Sequence, residues 1–443
     1  MLNLVLFLVL NVAMLIFMYR YSARMKNPIN SRQYLLLEGT EMFFIILMAT
    51  GTLALSSSGG GHGSGSGFNL QAIRLMILEV FCLLVLVVSS HKPVWGIGTV
   101  FYVIYILWLL YSMSYSQAGQ YGWRYILKYL YPLLIMLAAS ACVRDEEVFL
   151  GVCLWSRRIA LLSIIVLMTP LGLLFPGAFW YITALNLHYS TIVCVSLAMF
   201  FFYGRDWKDL VVSIVFFIPC VLAVHRTGLL AIFAAAATFA FLKFKWVSLP
   251  YIFGVLAVGV AIVFYVPAFH DKMFWKDSEN ELTVQDLREG NISEDDIRNN
   301  GRKAIWTMLR SEFYNGHELK GSGIGSCQKY LYENPAMVKQ THGDYVQMQC
   351  DTGLIGFVLY ILVAVLILIQ CTVICFSNTY PTSIKACAMI AASGLVGCYA
   401  GMYSDNAVTY TMATTSYPFA FYGMFLGMRS KMTEGVLTKE RGL

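Results

Sequence analysis

Apolar residues run through this chain in long unbroken blocks, not at the spacing of a single buried face. A bilayer crossing by an α-helix needs about 20 mostly apolar residues. Thirteen blocks reach roughly that length: 2–19, 35–56, 70–89, 94–113, 125–143, 158–176, 187–203, 208–224, 227–243, 249–267, 350–376, 383–402 and 408–428. One long polar stretch, 268–348, interrupts them. The pattern predicts an all-α polytopic membrane protein of about 12–14 transmembrane helices. Its three parts are residues 1–267 with helices 1–10, a loop over 268–348, and residues 349–443 with helices 11–13 and a short tail. The first block has no positive leading region and no small-residue cleavage site, and it runs into Tyr19-Arg20-Tyr21. It reads as a membrane helix and not as a cleaved signal.

Charge gives the blocks a direction. Lysine and arginine concentrate in alternate connections: Arg20, Arg24, Lys26 and Arg32; Lys92; Arg144, Arg157 and Arg158; Arg205 and Lys208; Lys243 and Lys245; Lys385; and the tail from Arg429 to Arg441. The connections 57–69, 177–186 and 403–407 carry none. By the positive-inside rule the N-terminus lies outside, the C-terminus is cytoplasmic, and the 268–348 loop is external. The run Ser56–Gly67 lacks the Lys-Ser/Thr ending of a phosphate loop, so it reads as a flexible external connection.

Composition agrees. The 443 residues are 58% hydrophobic and 13% charged, with a net charge of +6. Soluble chains carry about 25% charged residues, so a cytosolic enzyme, a disordered chain and a nucleic-acid-binding domain are excluded. Most of the 11 cysteines sit in apolar runs and read as small hydrophobes. Cys327 and Cys350 border the loop, and their spacing leaves a disulfide open.

Four cations break the sidedness: Arg74, Arg124, Lys128 and Arg226 stand near external ends of spans. Charges inside the bilayer cost roughly 2.5–3.5 kcal/mol on insertion scales and mark function when retained. Arg124 and Lys128, four apart, share a helical face. Two readings stand. The side chains either snorkel to lipid phosphates or line a cationic pocket for an anionic headgroup, a task that suits the planar arginine fork.

The loop carries the candidate chemistry. Ser293 caps a helix expected over 294–313, with Glu294, Asp295 and Asp296 in its first turn and Arg302, Trp306 and Leu309 on one face. A glycine turn follows at Gly321-Ser322-Gly323-Ile324-Gly325, then Thr341-His342-Gly343-Asp344-Tyr345-Val346-Gln347. His342 reads either as a surface or capping histidine or as a general base toward a sugar hydroxyl. Asp344 could orient its ring only if a turn intervenes. No metal-ligand spacing and no nucleophile elbow occurs.

These motifs, in this order, resemble the bacterial O-antigen ligase and O-antigen polymerase superfamily. The elements are Arg226-Thr227-Gly228 opening a span, Gly301-Arg302 with Trp306 in a large loop, the Gly-x-Gly-x-Gly turn, and His342 with Tyr345 and Gln347 before Gly353 and Gly356. The resemblance covers about 187–376, and the first half matches only in hydropathy. The family commonly has Asn after the histidine, where this chain has Gly343.

What the resemblance implies is a GT-C type, inverting glycosyltransferase of the bacterial inner membrane that uses neither nucleotide sugar nor metal ion and needs no cofactor. Its donor would be a glycan on undecaprenyl pyrophosphate. Its acceptor would be a second glycan (polymerase of O-antigen, capsular or exopolysaccharide repeats) or lipid A-core (ligase), with flippase and chain-length regulator proteins as partners. Mapped onto this sequence, Arg226 and Arg302 stabilise the pyrophosphate, with Arg74, Arg124 and Lys128 as further substrate contacts. His342 is the base. Trp306 packs the loop or stacks on sugar, and Asp344, Tyr345 and Asp405 line the substrate. A polysaccharide or lipid transporter would explain the spans and cations but not the loop motifs.

Overall fold

The computed structural model describes residues 37–52, 70–168, 178–204, 206–274, 301–334 and 340–440, together with Ile16, Arg20 and Tyr34. Apart from Ile16, the first expected span lies outside the described residues, as do the Ser56–Gly67 run and the cap at Ser293. The chain is all-α, and its elements follow the apolar blocks. They are α1 (Gly39–Thr52), α2 (Leu70–Val88), α3 (Ile97–Met113), α4 (Gln120–Cys142), α5 (Glu146–Met168) and α6 (Ala178–Tyr203). Next come α7 (Trp207–Val215), α8 (Ile218–Leu222), α9 (Arg226–Phe244), α10 (Leu249–Tyr265) and α11 (Pro267–Met273). The loop holds α12 (Arg302–Phe313) and α13 (Ser326–Glu333). The C-terminal part is α14 (Asp344–Phe376), α15 (Thr382–Met402) and α16 (Ser416–Glu440).

Among the described residues, six stretches are long and apolar enough to cross a membrane: Gln120–Cys142, Glu146–Ile165, Asn186–Tyr203, Arg226–Tyr265, Asp344–Phe376 and Thr382–Met402. Gly39–Met48 and Ile97–Met113 are shorter apolar helices. The protein is a polytopic membrane protein. The 40 residues of Arg226–Tyr265 would reach about 60 Å as one helix, twice a bilayer core. They are divided by a 3₁₀ turn over Lys245–Ser248, where Lys245 takes φ 56°.

Three expected boundaries move. The block at 158–176 belongs to a helix that starts at Glu146, because Glu146 and Glu147 suit its first turn and Arg157 is ion-paired with Asp209 within the bundle. The block at 208–224 is two short helices, broken at Phe216-Phe217 ahead of Pro219, which lacks the amide needed to continue a helix. The last block begins at Ser416 and not at 408. Before it, the Thr414 hydroxyl donates to the Ala407 carbonyl and Thr411 and Thr415 bond each other, holding the segment in turns.

The core sits where α4 packs on α16 and where α15 packs on α6, α9 and α16. Small residues allow the close approach: a side chain at Gly423 would collide with the Met136 carbonyl. At one end of α4, Arg144 pairs with Glu434 of α16 at 2.6 Å, and Lys431 pairs with Asp145. At the other end lie the loop helices, where Tyr125 bonds Gln328 and Gln347.

The loop is locked to the bundle by a break in α14. Gly353 has φ 66°, so the amides of residues 354 and 355 lose their helical acceptors. They donate instead to the carbonyls of Glu318 and Leu319. The carbonyls released at Cys350 and Asp351 accept from Ser322 and Gly323. Asp351 adds its carboxylate, which accepts from the Gly325 and Cys327 amides at the start of α13. Beside this splice lies a second apolar core of Leu309, Cys327, Leu331, Val346 and Cys350. The first turns of α14 therefore belong to the loop, and the expected start of the span at residue 350 marks the splice. Cys327 and Cys350 are both free thiols and fully buried.

Candidate functional site

Four separate segments meet at the loop end of the bundle: residues 340–345, the start of α12, the connection 403–407 and the start of α9. His342 lies at the turn into α14 with φ 49°, a left-handed conformation that is uncommon for a side chain with a Cβ. The turn is held on both sides. Trp306 of α12 donates from its ring N–H to the Thr341 carbonyl at 2.9 Å. At Gly343 a Cβ would sit 2.9 Å from the same indole, so a larger residue there would displace Trp306. On the other flank, Thr341 donates its hydroxyl to Gln347 at 2.6 Å.

Asn406 fixes the histidine itself. Its Oδ1 accepts the His342 main-chain N–H at 3.0 Å, and its Nδ2 donates to Gln340 at 2.9 Å. The same Nδ2 lies 3.2 Å from His342 Nδ1. An amide nitrogen only donates, so Nδ1 accepts, and the neutral ring carries its hydrogen on Nε2. Burial, followed by the Arg302 charge, lowers the His342 pKa below its ordinary value, while Asp405 opposes the shift. Both the Asn406 contact and the lowered pKa favour the neutral ring.

Asp405 is the anion of the site. Its Oδ2 lies 3.3 Å from His225 Nε2, and its Oδ1 accepts the Asn406 amide at 2.8 Å. His225 caps α9 by accepting the Gly228 N–H on Nδ1 at 3.0 Å, which leaves the hydrogen on Nε2 facing Asp405. Although burial pushes the Asp405 carboxyl up, the His225 and Asn406 hydrogen bonds and the His225 and His342 charges outweigh it and hold the pKa below the usual carboxylate range. Arg302, half-buried in the first turn of α12, feels Asp405 as its supporting counter-charge. Thr227 and Ser404 hydroxyls, 2.8 Å apart, tie the start of α9 to this connection.

The expected site residues thus divide. Arg302, His342 and Asp405 come together, with Trp306 as their packing wall. Arg226 follows His225 directly, and its guanidinium reaches Met273 Sδ of α11 at 3.4 Å. Asp344 does not turn toward the imidazole: its Oδ2 accepts the Val408 amide at 3.0 Å. Tyr345 ties α14 to α15 through a 2.6 Å bond to the Tyr399 carbonyl. Lys128 stands over the Tyr125 ring at 4.3 Å, with Arg124 and Asp344 within electrostatic reach. Arg74, on α2, lies near Tyr131 of α4. Neither Arg74 nor Arg124 makes a described contact with His342. Two members, His225 and Asn406, escaped the sequence reading. Each adjoins a residue it did select, Arg226 and Asp405.

No group of three or more His, Cys, Asp or Glu residues placed to hold a metal ion occurs among the described residues. What the arrangement offers is a cation, an imidazole and a buried carboxylate at one end of a membrane bundle. That combination suits binding of an anionic substrate group next to a reacting centre.

The fold and site define an all-α, multi-pass membrane protein with a polar site built between a large loop and the helix ends. Residues 211–361 match the model of the O-antigen ligase family, so this part of the chain is similar to a domain of that family. The match takes in His225, Arg226, Arg302, Trp306 and His342 and stops short of Asp405 and Asn406. No curated protein matches the sequence.

Proposed function

We propose that the protein transfers a glycan from undecaprenyl pyrophosphate to a sugar hydroxyl at the outer face of the bacterial inner membrane, extending a growing polysaccharide. The observation that carries this reading is the meeting of Arg302 and His342 beside Asp405, inside and next to the matched family domain. A departing pyrophosphate carries away the electron pair of the glycosidic bond, and charge stabilisation at that oxygen is the main demand on the site. Arg302 supplies a delocalised cation there, and Arg226, at the N-terminal end of α9, a second one. Displacement in line with the departing group inverts the anomeric centre. The large loop is the catalytic part, and Asp405 keeps the electrostatic balance of the site.

The family description favours a second reading, in which the acceptor is lipid A-core. One assay separates the two. Lipid-linked repeat units, extracted from a strain lacking this protein, are incubated with the purified chain with and without lipid A-core. Extension without the core supports polymerisation. Product only with the core makes the protein a ligase, and no product in either arm rejects glycan transfer.

A further inference from the structure

We infer that Asn406 holds His342 as its Nε2–H tautomer, so that the ring serves the lipid-linked donor as a hydrogen-bond donor to a pyrophosphate oxygen and not as the base that removes the acceptor's proton. The inference rests on the transfer reading and deepens it at one atom.

The amide orientation of Asn406 is not free. Its oxygen must face the His342 main-chain N–H, 3.0 Å away, because a flipped amide would set two donors against each other. Nδ2 is then the atom facing both Gln340 Oε1 and His342 Nδ1. A base acting through Nε2 needs its hydrogen on Nδ1, pointed at an N–H group. Turning the ring over would replace the bond with a carbon facing Nδ2. Both movements cost a hydrogen bond in a half-buried site, where an unmade bond is poorly compensated by water. No hydrogen bond joins Nε2 to a described residue, so its N–H is available to substrate.

A donor at Nε2 complements Arg302, the cation whose charge acts on the ring. In the transfer, the bond from the anomeric carbon to pyrophosphate breaks and its electron pair leaves on the pyrophosphate oxygen. The bond from the acceptor oxygen to the anomeric carbon forms. The acceptor's proton passes to water, and the pyrophosphate takes up a proton from water afterwards. No side chain needs to change its protonation state. The Nε2–H group shares the charge that builds on the leaving oxygen, as oxyanion-hole donors do.

The charged and titratable groups facing His342 are Arg302 on α12 and Asp405 on the 403–407 connection, with His225 of the α9 start behind Asp405 and Asp344 two residues along. Because the neutral and the protonated ring both present Nε2–H, the donor role does not depend on losing a proton. A base role does.

The test uses the purified full chain and lipid-linked glycan extracted from a strain lacking it, with initial rates of polyprenyl pyrophosphate release as the readout. Wild-type rates are taken from pH 8 to pH 5, beside His342→Gln, His342→Ala and Asn406→Asp. Glutamine places an N–H near the Nε2 position and has no basic atom. The expected result is a wild-type rate that changes less than about threefold, His342→Gln within about tenfold of wild type, and His342→Ala down by about a hundredfold, the usual scale for one such donor. Asn406→Asp offers an acceptor to Nδ1–H, reverses the tautomer and also falls about a hundredfold.

A wild-type rate falling about tenfold per pH unit on the acid side would overturn the inference. So would His342→Gln as inactive as His342→Ala, provided both variants elute as the wild type does in detergent. Either result leaves the transfer reading standing, since the wild-type chain still forms product. Absence of product from the wild type would instead reject the transfer reading.

Discussion

Asn406 holds His342 at both ends of the residue, accepting its main-chain N–H at 3.0 Å and reaching its ring nitrogen Nδ1 at 3.2 Å. The left-handed backbone at His342 costs on the order of 1–3 kcal/mol for a residue with a side chain. These two bonds, with Trp306 against Gly343, are what holds it. Asn406→Ala removes both. Its expected effect is a destabilisation of about 1–3 kcal/mol from the orphaned amide and a loss of transfer of at least tenfold. Thermal unfolding in detergent and the release assay measure the two separately.

Arg302→Lys keeps the charge and removes the planar fork. Lysine binds phosphate as a point charge and cannot make paired bonds to two oxygens. Transfer should fall by about tenfold to a hundredfold with little change in the melting temperature, because Arg302 is only half-buried and packs no core. A variant with wild-type rates would remove Arg302 from the pyrophosphate.

Asp405→Asn should lower the His342 pKa further, since the Asp405 carboxylate is the group that opposes its depression by burial and Arg302. The sign is fixed: with the anion gone, protonating the ring becomes harder. Titration of ¹⁵N-histidine in the full chain, with the His342 signal assigned by its absence from His342→Gln, checks the direction. An upward shift would show that Asp405 does not act on the ring.

Gly353→Ala attacks the splice between loop and bundle. A methyl group there would collide with the Leu319 carbonyl, on backbone at φ 66°. The loop segment 318–323 should release, with a stability loss of a few kcal/mol and faster proteolysis near residue 320. Unchanged proteolysis would mean that the splice bears no load.

How much of this was legible in the sequence depends on the range of the interaction. Blocks of apolar residues report a bilayer directly, so most helices lie where hydropathy placed them. The errors fall where a local feature overrode the block: Pro219 splits 208–224, and threonine hydroxyls hold 411–415 in turns. Arg302, His342 and Asp405 could be picked out as candidates because polar residues at membrane ends stand out. His225 and Asn406 were not. Asn406 acts on a residue 64 positions away through an amide whose two ends do different jobs, and nothing in its own neighbourhood records that. Asp344 could have served His342 only across a turn, and its carboxylate accepts the Val408 amide instead.

The proposed function requires the Arg302–His342 site to move a glycan off a polyprenyl pyrophosphate. The most direct measurement is the appearance of free polyprenyl pyrophosphate when the purified protein meets lipid-linked repeats extracted from a strain lacking it. The expected result is release coupled to glycan lengthening or transfer, reduced at least a hundredfold in Arg302→Ala and His342→Ala. Release undiminished in both variants, or lipid-linked glycan that the wild-type protein leaves intact, would contradict it.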